Sequence, residues 1–200
     1  GRPEAVGFYL DQRRIHVGDL TALTEEVFAA WQTDRSSGLD AIMLAPTREL
    51  VSQLNQRART HRLTTQPEQS RPEASRLAML ADGNPASVGE QVITRTNNRA
   101  LRWSATDWVK NGDRWTVLKV SRGGDLTVRH HRNGRTVRLP ASYVTEAVEL
   151  GYATTVHTAQ GVTADTMHGL VAGEESRQQL YTMLTRGRIA NHLYLQLVGD

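Results

Sequence analysis

The sequence has no cysteine, only two lysines and two phenylalanines, and no apolar run approaching the roughly 18 residues of a membrane-spanning helix. Without cysteine there are no disulfides and no thiolate metal ligands, which agrees with a cytoplasmic setting. Without a long apolar run, no membrane partner is expected. The shortage of lysine excludes more. A phosphate-cradling P-loop needs G-x-x-x-x-G-K-[ST], with the lysine on the β/γ-phosphates and the hydroxyl on magnesium. Lys110 is followed by Asn111 and Lys119 by Val120, so neither completes the motif. Any work with ATP therefore needs residues from elsewhere. Seven histidines are present, none at H-E-x-x-H or comparable spacing, and no metal site is expected. The opening GRPEAVGFYLDQRR lacks a signal-peptide layout, and Gly1 reads as a cut inside a longer protein.

What is present is a polar, arginine-rich chain of 200 residues, 38% hydrophobic, long enough for one large domain or two small ones. Its net charge of +3 hides an asymmetry. Between Glu90 and Pro140 eleven cationic side chains face four carboxylates, so this segment carries +7 and the remainder −4. Such a bias is a footprint of nucleic-acid contact, although arginines on the solvated face of a β-rich module would look the same.

Texture divides the chain. Residues 8–17 open as a strand or hairpin, and Asp19 N-caps an amphipathic helix to about Arg35, with Leu23, Val27, Ala30 and Trp31 on one face. Ala41-Ile42-Met43-Leu44-Ala45 reads as a strand buried on both faces of a parallel sheet. Thr47 then caps a helix through about Leu63. Residues 64–76 are polar and proline-bearing and read as an exposed or mobile loop. From Ser87 the texture becomes short β runs separated by Asn111-Gly112, Gly123-Gly124 and Asn133-Gly134, which predicts a small SH3-like barrel. Trp103, Trp108 and Trp115 lie in it, as core residues before base-stacking ones; His130 and His131 read as surface residues of a strand. At Gly151 strand–helix alternation returns. The expected fold class is α/β, a parallel sheet flanked by helices with the small barrel inserted.

Two runs near the end carry the chemistry. Tyr152–Val156 reads as a strand breaking into a turn, His157-Thr158-Ala159-Gln160-Gly161, whose polar side chains are neutral hydrogen-bonding groups. A helix over Glu175–Thr185 then brings Arg186 and Arg188 to its C-terminal end, where they offer planar charged forks to phosphate or bind the helix's own last carbonyls.

The blocks MLAPTRELVSQLN, GEQVITRTNN, NGDRWTV, LGYATTVHTAQGVTADTMH and LYTMLTRGRIANHLYL, in that order, resemble the C-terminal half of superfamily 1 helicases of the RecD-like branch. The likeness is nearest to the helicase part of conjugative relaxases of the TraA/TraI/TrwC (MobF) type, particularly actinobacterial ones, and runs from about Tyr9 to Leu197. It implies a RecA-like, P-loop-NTPase-type second domain (2A) in two parts, 1–86 and 149–200, with an SH3-like 2B insertion over 87–148. It implies ATP and Mg2+ as cofactors of the longer protein, with none bound by this piece alone. The partners it implies are single-stranded DNA, the preceding RecA-like domain and a relaxase domain in the same polypeptide. The activity implied is 5′-to-3′ translocation in a bacterial cytoplasm. By the same resemblance Arg186 is the arginine finger, with Arg188 beside it; Gln160 and Gly161 face nucleotide. Thr155, His157, Thr47, Arg48, Asn97 and Asn98 are placed along DNA. Thr163 stands where related helicases often have an acidic residue. A RecD-like repair helicase and a non-catalytic interaction module are the alternatives.

Overall fold

A computed structural model of the chain describes residues 14–65 and 76–197. The first stretch contains strand β1 (Ile15–Gly18), helix α1 (Leu20–Ser36), strand β2 (Ala41–Ala45) and helix α2 (Arg48–Thr65). The second begins with β3 (Ala78–Met79), β4 (Pro85–Ala86), β5 (Gln91–Thr94), β6 (Asn98–Arg102) and β7 (Trp108–Val109). It continues with β8 (Arg114–Val120), β9 (Leu126–His130), β10 (Thr136–Leu139), helix α3 (Ala141–Ala147) and β11 (Val148–Leu150). Then come β12 (Ala153–Thr155), a 3-10 turn (His157–Ala159), β13 (Ala164–Val171), helix α4 (Arg177–Met183) and β14 (Gly187–Gln196). The expected hairpin start over residues 8–13 and most of the 64–76 loop lie outside the described residues.

These elements form two compact units, one running through Leu54 and resuming at Ala153, the other covering Asn55–Tyr152. In the first unit five strands make an all-parallel sheet in the order β1-β14-β13-β2-β12. Every residue of β2 is buried, as its uninterrupted apolar sequence requires of a strand with neighbours on both sides. Helix α1 starts where Asp19 Oδ1 accepts the N–H groups of Thr21 and Ala22 at 3.0 Å each. It packs Leu23, Val27, Phe28 and Trp31 inward, and the Trp31 indole N–H reaches Ala41 O at 3.1 Å.

The same unit holds a histidine cluster around buried His168. His168 of β13 lies in register with His192 of β14, their rings stacked 5.1 Å apart. His168 Nε2 is 2.7 Å from an Asp34 carboxylate oxygen on α1, and its Nδ1 is 3.1 Å from the Tyr194 hydroxyl. His16 of β1 stacks on Tyr194 at 4.3 Å. Burial pushes His168 below its ordinary value, and burial followed by the neighbouring histidines pushes His192 down to about 4.

The second unit is built on a five-stranded antiparallel sheet in the order β10-β9-β8-β5-β11. Its strands alternate as expected: Leu126, Val128 and His130 point inward while Arg129 is exposed. Trp115 is wholly buried and donates its indole N–H to Thr94 Oγ1 at 3.3 Å. Trp103 meets it edge-on at 5.1 Å, and His130, expected on the surface, is buried between these two rings. Trp108 is half-buried, with Arg99 and Lys110 about 5 Å from its ring.

This unit extends beyond the 87–148 segment because buried polar bonds attach its flanks. The Glu90 carboxylate, fully buried, accepts Arg59 Nε at 3.1 Å, Arg62 Nη2 at 2.9 Å and the Tyr152 hydroxyl. Asp82 accepts the Leu150 N–H at 3.0 Å, and Ala81 N–H donates to Val148 O. Among the described residues no helix is long and apolar enough to cross a membrane, and no cluster of three or more histidines or carboxylates is arranged to hold a metal.

Candidate functional site

In a parallel sheet the loops that leave the carboxyl ends of adjacent strands converge, and ligands of open α/β sheets bind there. Three such loops meet in the first unit. Thr47 follows β2, His157 follows β12, and the segment Ala172–Ser176 follows β13. Thr47 and His157 line one cleft together with Val156, Glu174, Glu175 and Gln179. A neighbouring cleft is lined by His157, Gln160, Ser176, Gln178, Gln179 and Thr182.

Thr47 has a local task in this place. Its hydroxyl caps α2 by accepting the Leu50 N–H at 3.2 Å, which fixes the side chain at the cleft wall. Arg48 is exposed one residue later. At the end of β12 three hydroxyls join: Thr158 Oγ1 is 2.7 Å from those of both Thr154 and Thr155. Thr155 is thereby held on the turn that carries His157.

The turn itself is sharply defined. Gln160 has φ −59° and ψ 124°, Gly161 has φ +86°, and the Val162 N–H closes onto Ala159 O at 3.0 Å. This is a type II β-turn, whose third position requires positive φ, so glycine belongs there. The Gln160 side chain is exposed at the tip.

Arg186 grips that turn from the far side. Its Nη1 donates to the carbonyls of Ala159 and Val162, both at 3.2 Å, which are the first and last residues of the turn. Its Nε donates to Thr182 O at 2.9 Å and its Nη2 to Thr185 Oγ1 at 2.9 Å. The arginine therefore does bind the last carbonyls of its own helix, and the same planar fork spans the turn. Its backbone is held too: Arg186 O accepts the Ala164 N–H, and Asn191 brackets Gly187 by accepting its N–H at 2.7 Å and donating to its carbonyl at 2.9 Å. Arg188 is engaged elsewhere, in an ion pair with Asp165, whose other oxygen accepts the Asp40 N–H at 3.0 Å.

The structure thus gathers Thr47, Thr155, His157, Gln160, Gly161 and Arg186 around one crossover, which leaves β12 and returns to β13. Asn97 and Asn98 belong to the second unit, where each fixes a loop: Asn97 Oδ1 accepts the Asn111 N–H at 2.9 Å and Asn98 Oδ1 the Ala100 N–H at 3.0 Å. Sequence reasoning passed over Asp165, Gln179 and Asn191, and named Thr158 only as a member of the turn. Of the three missed, only Gln179 left a local signal, the Ser-x-x-Gln spacing of a capping box.

No protein-family model matches the chain. It is 36% identical over 98 residues to the uncharacterized protein Rv2311 of Mycobacterium tuberculosis, covering 46% of this chain and 53% of that protein. It is 29% identical over 168 residues to the probable conjugal transfer protein TraA of Sinorhizobium fredii, covering 82% of this chain and 14% of TraA. Among solved structures, Bacteroides Pif1 bound to single-stranded DNA is similar at 20% identity and a TM-score of 0.49, over 80% of this chain and 41% of that one. The Pif1 helicase of Candida albicans is similar at 16% identity and a TM-score of 0.48, over 81% and 46%. The chain is similar to helicases and to a conjugal transfer protein. It spans about half the length of the mycobacterial relative and a small part of TraA.

Proposed function

We propose that this chain is the second RecA-like domain, with its 2B insertion, of an ATP-dependent DNA helicase within a conjugative relaxase. The observation that carries this reading is the crossover from β12 to β13. At the carboxyl edge of the sheet it presents Thr155 and His157, with Thr47 on the facing loop. At its other end the Gln160-Gly161 turn is bonded to Arg186. Neutral donors suit a sliding phosphodiester backbone, because they hold phosphate without the charge attraction that resists stepping. A guanidinium suits charge developing on a transferring phosphoryl group, where arginine fingers contribute about 10³–10⁵ in rate.

The chain's residues fit one side of ATP. Gln160 offers donors to phosphate oxygens, and Arg186, with its other N–H groups on Thr182, Thr185 and the turn carbonyls, has one Nη2 N–H left to offer. The P-loop lysine and the magnesium ligands would come from the first RecA-like domain, and bound magnesium would supply charge neutralisation of the phosphates. Arg188, paired with Asp165, serves as a neighbour rather than as the finger. For the insertion, the strand order β10-β9-β8-β5-β11 with a short helix before the last strand favours an SH3-like module. Likeness to TraA over 82% of the chain favours a transfer enzyme over a repair helicase.

The chain should bind single-stranded DNA weakly, with log K falling linearly as log salt rises, and should not hydrolyse ATP. In the longer protein, Arg186→Ala should abolish turnover and leave ATP binding largely intact. ATP hydrolysis by the purified chain, or turnover surviving in the Arg186→Ala enzyme, would refute the assignment.

A further inference from the structure

Gln179 sits at the third position of α4 and closes a capping box with Ser176. Its Oε1 accepts the Ser176 backbone N–H at 2.7 Å, and its own N–H donates to Ser176 Oγ at 3.2 Å. Its remaining polar atom, Nε2, lies 3.1 Å from His157 Nε2. The amide orientation is forced, because a flipped side chain would set an NH2 group against the Ser176 N–H, donor against donor. An amide nitrogen can only donate. His157 Nε2 must therefore be an acceptor, which leaves the ring neutral with its proton on Nδ1. Nδ1 has no hydrogen-bond partner among the described residues, and the ring is exposed on the wall shared by both clefts.

We propose that Gln179 is a positioning residue that holds His157 as a neutral Nδ1–H donor for a phosphodiester oxygen of single-stranded nucleic acid. The identity of the ligand rests on the function proposed above; the tautomer does not. Glu174 and Glu175 line the same cleft as His157, and Glu175 accepts the N–H groups of Ala172 and Gly173, at 2.8 and 2.9 Å. The amide of Gln179 keeps the ring's Nε2 an acceptor. A charged imidazolium would grip phosphate and slow release; a neutral one only hydrogen-bonds. The same helix also connects the two ends of the crossover, meeting His157 through Gln179 and Arg186 through Thr182 O.

Gln179→Glu tests this with one atom changed. Glutamate keeps the capping box, so α4 still starts at the same place, but the group facing His157 Nε2 becomes an acceptor. Nitrogen-15 chemical shifts of the His157 ring, measured on the chain without DNA or nucleotide, should show Nδ1–H in the parent and a proton on Nε2 in the variant. Gln179→Leu removes the donor without adding charge and should leave a mixture of tautomers. A parent ring already protonated on Nε2, or shifts unchanged by both variants, would overturn the proposal. Binding of a short oligothymidylate should weaken about tenfold or more in Gln179→Glu and less in Gln179→Leu, tenfold being about the contribution of one hydrogen bond. If the tautomer responds as stated but the parent does not bind the oligonucleotide, the ligand assignment falls and the role of Gln179 in setting the ring stands. If binding is intact while the tautomer ignores Gln179, this inference falls and the function proposed above stands.

Discussion

Replacing Arg186 by alanine separates what its guanidinium does for the turn from the role proposed for it at ATP. The substitution removes the two Nη1 bonds to Ala159 O and Val162 O. Bonds from a charged donor contribute about 1.5–3 kcal/mol net, and here two of them share one partly exposed nitrogen, so together they should stabilise the closed turn by about 2 kcal/mol. At about 1.4 kcal/mol per factor of ten, the open fraction of the turn should rise about 30-fold. The reporter is the Val162 N–H, which closes the turn on Ala159 O at 3.0 Å. Its hydrogen exchange, followed by NMR, should accelerate by that factor, while amides of the fully buried strand β2 keep their parent rates. Lysine at this position offers a compact ammonium in place of a planar fork and should recover only part of the protection. A Val162 amide that exchanges within about twofold of the parent in Arg186→Ala would show that the turn closes without the arginine, and the argument from those bonds would fail. Loss of ATP turnover cannot make this distinction, since either role predicts it.

Two other perturbations follow from buried charge. Glu90→Ala strips the carboxylate from Arg59, Arg62 and the Tyr152 hydroxyl. Removing one partner of a buried ionic cluster costs about 3–5 kcal/mol, so urea unfolding followed by tryptophan fluorescence should show a loss of that size, and a loss under about 1 kcal/mol would contradict it. The histidine cluster sets an acid limit. Below their ordinary value of 6.5, the histidines of the unfolded chain take up protons that folded His168 and His192 resist. Stability should therefore be level above about pH 6.5 and fall as pH drops toward 4, the value to which His192 is pushed. His192→Gln should flatten that slope in urea titrations across pH; an unchanged slope would remove His192 from the account.

Much of the first unit was readable because its signals are local. The Asp19 and Thr47 caps, the apolar run of β2 and the 3.6-residue spacing on α1 depend on neighbours within a turn or two, and the elements appear where those signals stand. Gly123-Gly124 and Asn133-Gly134 join the paired strands β8-β9 and β9-β10 for the same reason, whereas Asn111-Gly112 separates β7 from β8, which do not pair with each other. The two-residue strands β3, β4 and β7 are too short to show a period, and α3 begins after Pro140 without a side-chain cap. His130 was misjudged because its polarity suggested the surface, while its place in the β9 alternation assigned it to the core beside Trp115.

The candidate site divides along the same line. Local order in the chain is enough to require a tight polar turn with glycine at Gly161, an arginine at the end of a helix, and no lysine loop to receive a triphosphate. These follow from backbone sterics and residue chemistry alone. Which carbonyls Arg186 reaches, that Arg188 is taken by Asp165, and that Gln179 faces His157 depend on residues more than twenty positions apart. Those partners are assigned by the strand order, which inserts β2 between β12 and β13 and brings the returning crossover against α4. A hydrogen bond forms only between groups that folding has already placed within reach.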